Sequence, residues 1–389
     1  MSDNHNFSEL SPNLRDPSTL RLKKEINTEV VVIGSGPAGL SAALSAAEEG
    51  AQVLLLERDP FLGGQLVKQT HMFFGSEEQY AAERGVKIGK ILSEQLQSYD
   101  NIDVYINATA LGYYEYGTLL VEHNGEIIRI KPSKMIVATG AQEKVLHFPN
   151  WDLPGVYGAG AVQTLMNVYG VKPGDKVVMV GAGNIGVIVS YQLIQAGVEV
   201  VGVLEAASQI GAYLVHASKL RRQGVPIYTS TTVKEVHGEN ALEKITTVEL
   251  DNNWNYIPGS EQNFEVDVLC LSVGLTPLAE LLLQAGCETV YVPELGGFTP
   301  IRDENFETTK SGIYVAGDVS GVEEASSAMV EGKLAGMFAA ESLGYQKEGF
   351  WIRAKNAREE LMSLRRGPVG QVIRRGQSQL VKKAKAKGV

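Results

Sequence analysis

Two stretches of this 389-residue chain have residue types at a spacing suited to holding a diphosphate. The first is VVIGSGPAGL (31–40), an apolar run broken by Gly34, Gly36 and Gly39 with Pro37 and Ala38 between them. A phosphate needs backbone N–H donors at close range, and side chains would obstruct it. Gly34 makes the tight turn, Gly36 admits a pyrophosphate, and Gly39 lets a helix pack on the strand behind it. The helix N-terminus adds partial positive charge. A carboxylate is then expected about 20 residues on, to accept bonds from a ribose diol. Glu57 stands there, closing VLLLE, with Arg58 next to it.

The second stretch is VVMVGAGNIG (177–186), with Gly181, Gly183 and Gly186 enclosing Asn184 and Ile185, and with Glu205 closing VEVVGVLE. The order of parts is complete again. A carboxylate at Glu205 pairs with a free 2′-hydroxyl and repels a 2′-phosphate. Between Glu205 and Lys219 the sequence AASQIGAYLVHAS has no fixed cation, so this site is expected to favour NAD(H) over NADP(H).

These cradles require strand–helix–strand units to position them. The pattern predicts an α/β fold of two Rossmann-like, three-layer ββα units, the second inserted into a discontinuous first. The expected boundaries are an extension at 1–27, a first unit of 28–155 plus 264–345, a second unit of 156–263, and a basic tail at 346–389. The apolar run DVLCLSVG (267–274) is assigned to the returning part of the first unit.

Composition excludes several classes. The hydrophobic fraction of 44% and charged fraction of 21% are ordinary for a globular chain. No apolar run reaches the roughly 18 residues that span a bilayer. The polar N-terminus lacks the apolar core of a secretory signal, which leads to an expected cytoplasmic location. Only Cys270 and Cys287 are present, which excludes a cysteine-ligated cluster or zinc site on this chain alone. From residue 349 on, eleven Lys/Arg face only Glu359 and Glu360, a net +9 that leaves −19 on the rest of a chain totalling −10. Such a run reads as a solvated, partly disordered tail, or as a dock for an acidic partner. An acidic body would repel nucleic acid.

Further segments carry a resemblance. PFLGGQL (60–66), MIVATGA (135–141) and TKSGIYVAGDVSG (309–321) follow the first cradle in order. Together with the cradles they resemble the pyridine nucleotide–disulfide oxidoreductase superfamily in its compact, thioredoxin-reductase-like form. The resemblance implies FAD in the first cradle and NAD(P)H in the second. It also implies that Gly64, Gln65, Ala138, Thr139, Gly140 and Gly317 lie near the flavin and that Asp318 bonds its ribityl chain. The helix after Asp318 would aim its positive end at the flavin's pyrimidine edge.

The chain departs from that pattern where the sulfur chemistry sits. GVYGAGAVQT (155–164) and QLVKQTH (65–71), the places of the redox cysteine pairs, contain no cysteine. Cys270, inside an apolar strand, is expected to be an inert buried thiol. Electrons would therefore leave the flavin directly. ATGAQEKVLHFPNWDLPGVYGAGAVQTL (138–165) resembles the α subunits of heteromeric amine, opine, sarcosine and hydroxyproline oxidoreductases, which work with a second flavoprotein or an iron–sulfur protein. The expected function is an FAD-dependent NAD(P)H:acceptor oxidoreductase in a hetero-complex or other oligomer. The alternatives are a free NADH oxidase and a nucleotide-bound electron-relay subunit. His71, with Phe73 and Phe74, could cover one flavin face, and His71 is the acid/base candidate.

Overall fold

The computed structural model describes residues 22–73 and 75–388. Phe74 and most of the expected 1–27 extension lie outside the described residues.

The first unit opens with β1 (Leu22–Ile33), α1 (Pro37–Glu49), β2 (Val53–Leu56), α2 (Gly85–Leu96) and β3 (Ile102–Tyr105). A meander of β4 (Ala108–Tyr114), β5 (Thr118–His123) and β6 (Glu126–Val137) follows. β7 (Ala141–Glu143) leads to the second unit. That unit holds β8 (Val156–Gly158), α3 (Ala159–Asn167), β9 (Lys176–Val180), α4 (Asn184–Gln195), β10 (Glu199–Glu205), α5 (Leu214–Arg222) and β11 (Ile227–Thr229). β12 (Thr231–His237), β13 (Lys244–Glu249), β14 (Gln262–Glu265) and β15 (Val268–Leu271) complete it. β16 (Leu275–Pro277) returns the chain to α6 (Glu280–Gln284), β17 (Thr289–Val292), β18 (Gly297–Pro300), β19 (Ile313–Val315) and α7 (Ala325–Glu341). Two more helices end the chain, α8 (Phe350–Leu364) and α9 (Gly367–Lys387).

In the first sheet β3, β2, β1, β6 and β19 run parallel, and the other half of β6 pairs antiparallel with β5 and then β4. Alternation along β1 feeds two cores. Val30 and Val32 face α1 and α7, whereas Val31 and Ile33 face the meander's Leu119, Val121 and Ile130. Each such buried aliphatic side chain contributes about 1.5–3 kcal/mol. α1 and α7 cross closely because α7 presents glycine there. A Cβ on Gly332 would lie 2.0 Å from the Ala38 carbonyl oxygen, and one on Gly336 would lie 2.3 Å from that of Ala42. The second unit repeats the plan with a parallel sheet ordered β11-β10-β9-β15-β8 and an antiparallel sheet β12-β13-β14. The strand pair β7–β16 joins the two units.

Two expectations need correction. DVLCLSVG does not return to the first unit. Its strand β15 lies between β9 and β8 in the second sheet, with Cys270 fully buried, and the return begins only at β16. An all-apolar strand fits the centre of either sheet, so its composition does not choose between them. The basic end is not a solvated tail. α8 buries Phe350, Ala354, Ala357 and Leu361, a helical stripe, against the first unit. Cations of both C-terminal helices pair with the chain's own acids: Arg353 with Glu49, Lys385 with Glu304 at 2.7 Å, and Lys387 with Glu288 at 2.7 Å. Among the described residues no helix is long and apolar enough to cross a membrane.

Candidate nucleotide sites and the turn between them

In the first cradle, two glycines are required by the chain itself. Gly34 has φ +98°, and a Cβ there would lie 2.5 Å from the Ala138 carbonyl oxygen; one on Gly39 would lie 1.8 Å from that of Gly34. Gly36 differs, because a Cβ on it would meet nothing within 4 Å. The missing side chain therefore leaves open space in front of Pro37 at the start of α1, as a pyrophosphate requires. Glu57 is only 6% exposed. One carboxylate oxygen accepts from the Ser35 N–H at 2.9 Å and its hydroxyl at 2.6 Å, and the other from the Asp59 N–H at 2.9 Å. Glu57 thus braces the loop that it was expected to serve as a ribose acceptor. Arg58 and Gln65 are exposed. Gly64, at φ +51°, comes so near that its Cβ would lie 2.7 Å from the Gly36 Cα.

The second cradle repeats the two backbone bonds to the acid but lacks the hydroxyl bond, since Ala182 stands where the first has Ser35. Gly181 has φ +104°, Cβ atoms on Gly181 and Gly186 would clash with the carbonyls of Ser272 and Gly181, and Gly183 again faces open space. Glu205, half-buried, accepts from the N–H groups of Ala182 at 2.8 Å and Ala207 at 2.9 Å. Ile185 is exposed. Asn184 is the first residue of α4. Its side-chain oxygen accepts from the Tyr213 N–H at 2.9 Å, and its amide donates to Glu324 at 3.4 Å.

Glu324 belongs to the turn that opens α7, which links both sites. Gly317, at φ +75°, lies against the first cradle, since its Cβ would be 2.7 Å from that of Ala38. Its N–H donates to Glu331 at 3.0 Å. Asp318 accepts from the Glu323 N–H at 3.2 Å. Burial, with the nearby carboxylates of Glu323, Glu331 and Glu324, pushes the Asp318 carboxyl up to about 7. Thr139 donates to the Leu278 carbonyl at 2.9 Å, and Gly140, at φ +77°, accepts from the Leu278 N–H at 3.0 Å. Gly34, Gly36, Gly39, Gly64, Ala38, Ala138 and Gly317 are therefore gathered in one place.

His71 has other neighbours. It stacks on Phe73 at 5.5 Å, and its Nδ1 is buried without a hydrogen-bond partner. Burial, then His216 and Lys219 on α5, lower its pKa to about 4, so the imidazole is neutral near pH 7. The loop that carries it is fastened to the second unit. Lys68 donates to the Gly160 carbonyl at 3.0 Å, Asn167 donates to the Lys68 carbonyl at 2.7 Å, and Gln192 to Thr70 at 2.8 Å. Glu143 accepts from the Gly160 N–H at 2.6 Å. Gly160 lies in the stretch where the disulfide-reducing enzymes would carry cysteine. Cys270 and Cys287 are separate buried thiols, and burial raises the pKa of both.

Sequence reasoning missed the charged residues around this turn, Glu323, Glu324, Glu331, Arg302 and Arg365, and the amide of Gln377. The pair of glutamates soon after Gly317–Asp318 was the one visible signal.

The model of the pyridine nucleotide-disulphide oxidoreductase family matches residues 28–332. An opine oxidase subunit from Agrobacterium tumefaciens (strain Ach5) is 30% identical over 81% of this chain and 66% of its own length. Among solved structures, L-proline dehydrogenase from P. horikoshii superposes with a TM-score of 0.65 at 26% identity, covering 87% of this chain and 60% of that one. Thioredoxin reductase from T. acidophilum shares the fold, with a TM-score of 0.68 at 20% identity over 82% of this chain and 99% of its own. The chain thus spans just under two thirds of the opine oxidase subunit. The matched segment runs from the first cradle through the second and past the turn at Asp318, and the chain belongs to the pyridine nucleotide-disulphide oxidoreductase family.

Proposed function

We propose that this chain is an FAD-dependent NAD(P)H:acceptor oxidoreductase that prefers NADH and works as one subunit of a larger dehydrogenase or oxidase. The observation that carries the reading is the pair of cradles, each with its middle glycine facing open space at a helix N-terminus. Gly36, Gly64, Ala138, Thr139, Gly140, Gly317 and Asp318 would hold FAD, and Gly183, Asn184, Ile185 and Glu205 would hold the pyridine nucleotide. When bound, the two cofactors supply the hydride chemistry. The protein's part is to hold both nucleotides through backbone N–H donors and to offer no thiol relay. The NADH preference rests on Glu205 being followed by Ala206 and Ala207 instead of cations. Membership of a multi-subunit enzyme is supported by the similarity to the opine oxidase subunit. The partner would be a flavoprotein or an iron–sulfur protein that exchanges electrons with the flavin.

A second reading, an electron-relay subunit with no nicotinamide turnover, is favoured by Glu324. Its carboxylate stands against Asn184, where it would oppose a pyrophosphate. Anaerobic mixing of the purified chain with NADH separates the two. Loss of the yellow colour within seconds is expected, whereas an unchanged spectrum sinks the first reading in favour of the relay. Rapid oxygen uptake by the chain alone would identify a free oxidase.

A further inference from the structure

Four carboxylates crowd the turn that opens α7: Asp318, Glu323, Glu324 and Glu331. Two buried guanidinium groups answer them. Arg365, between α8 and α9, donates from Nε to Glu323 at 2.9 Å and from Nη2 to both Glu323 and Glu331. Arg302 donates to Ser320 at 2.8 Å and to Glu331 at 3.3 Å. Gln377 of α9 ties the two together. It accepts from Arg302 and donates to Glu323 at 3.2 Å. Glu331 in turn accepts the Gly317 N–H, beside Asp318. A continuous path of direct bonds therefore runs from the C-terminal helices to the turn.

Packing supports the same route. A Cβ on Gly376 would lie 2.7 Å from Leu295 Cγ, so α9 sits directly on the 293–295 turn. The Leu295 carbonyl accepts from the Val322 N–H at 3.1 Å, one residue before Glu323. α8 and α9 lie beyond the matched family segment, which ends at residue 332.

We propose that Arg365 and Gln377 are positioning residues for the flavin site: through Glu331 and Glu323 they fix the Gly317–Asp318 turn in the shape that the cofactor meets. This rests on the reading of the first cradle as an FAD site. Without Arg365, Glu323 and Glu331 lose their shared cation in a buried setting, where like charges repel strongly. Glu331 keeps Arg302 at 3.3 Å, but Glu323 must take a proton or swing away, and the bonded group that holds Glu331 on the Gly317 N–H shifts with it.

The test uses the full chain, stripped of flavin and titrated with FAD, with affinity and the flavin absorption bands as readouts. Arg365→Met should weaken FAD binding by about tenfold or more and shift the bands, and Arg365→Lys, which keeps the charge, should recover part of both. Gln377→Leu, which removes the bonds to Arg302 and Glu323, should act in the same direction by about threefold. Arg353→Gln breaks a different ion pair of α8, with Glu49 at the far end of α1, and should leave FAD affinity within about twofold. The proposal is overturned if Arg365→Met and Gln377→Leu both bind FAD within about twofold of the parent with unshifted bands. It is also overturned if Arg353→Gln weakens binding as much as Arg365→Met does. Should Arg365→Met not fold, Gln377→Leu decides alone. A parent chain that takes up no flavin is a separate result, and it sinks the FAD reading itself.

Discussion

The two cradles share one loop scaffold and differ in what closes over it. In both, the acid at the strand end accepts the N–H of the residue after the first glycine and that of the residue two beyond itself. In both, the loop after the acid returns to the same carbonyl, through Gly63 to Ser35 at 3.1 Å and through Ala212 to Ala182 at 2.9 Å. The next residue is where they part. Gly64 presses against Gly36, whereas Tyr213 holds Asn184, which also meets Glu324. Glu57 is buried and Glu205 half-buried. The same backbone solution is thus flanked by glycine at the first site and by the side chains of Asn184 and Glu324 at the second.

The largest effect should come from testing whether the shared scaffold is obligatory. Gly39→Ala, whose Cβ would sit 1.8 Å from a carbonyl oxygen, should destabilise the first unit by about 3 kcal/mol, read by thermal or denaturant unfolding. Unchanged stability would mean that α1 can shift, and the scaffold argument fails. Gly36→Ala and Gly183→Ala then separate the sites. Each should fold normally and lose about a hundredfold in affinity for one nucleotide only, FAD and NADH respectively, by titration. Loss of both ligands in either variant would break the comparison. Glu205→Arg should cut the preference for NADH over NADPH by about tenfold in binding assays, and equal responses to both would show that Glu205 does not read the ribose.

The smallest expected effect is on pH dependence. The Asp318 carboxyl, pushed up to about 7, binds a proton in the folded chain that the unfolded chain has already released. Asp318 therefore contributes stability to the flavin-free protein that is lost as pH rises from about 4 to about 7, whereas His71, lowered to about 4, contributes in the opposite sense below about 6.5. In a series of melting curves the parent should lose stability relative to Asp318→Asn as pH rises through that range. No pH-dependent difference between parent and variant over that range would show that Asp318 is charged throughout it.

Legibility followed distance along the chain. The glycines and acid of each cradle act on one another within some 25 residues, so spacing alone revealed them. His71 could be named as a titratable group, but His216 and Lys219 on α5, which with burial lower its pKa to about 4, lie far along the chain in another unit. The run VLCL announced a buried strand without saying which sheet takes it. The cations after residue 349 looked free because their acids, Glu49, Glu288, Glu304, Glu323 and Glu331, are scattered along the chain.

From its sequence alone this chain was bound to form two strand–glycine–helix units with a carboxylate behind each, because glycine's missing side chain and the helix N-terminus act locally. Tertiary structure alone decided that the C-terminal helices close over the turn at Asp318 and that Glu324 reaches the second cradle. Those contacts join residues 34 to 140 positions apart, and only packing of the whole chain can bring their charges into one low-dielectric place.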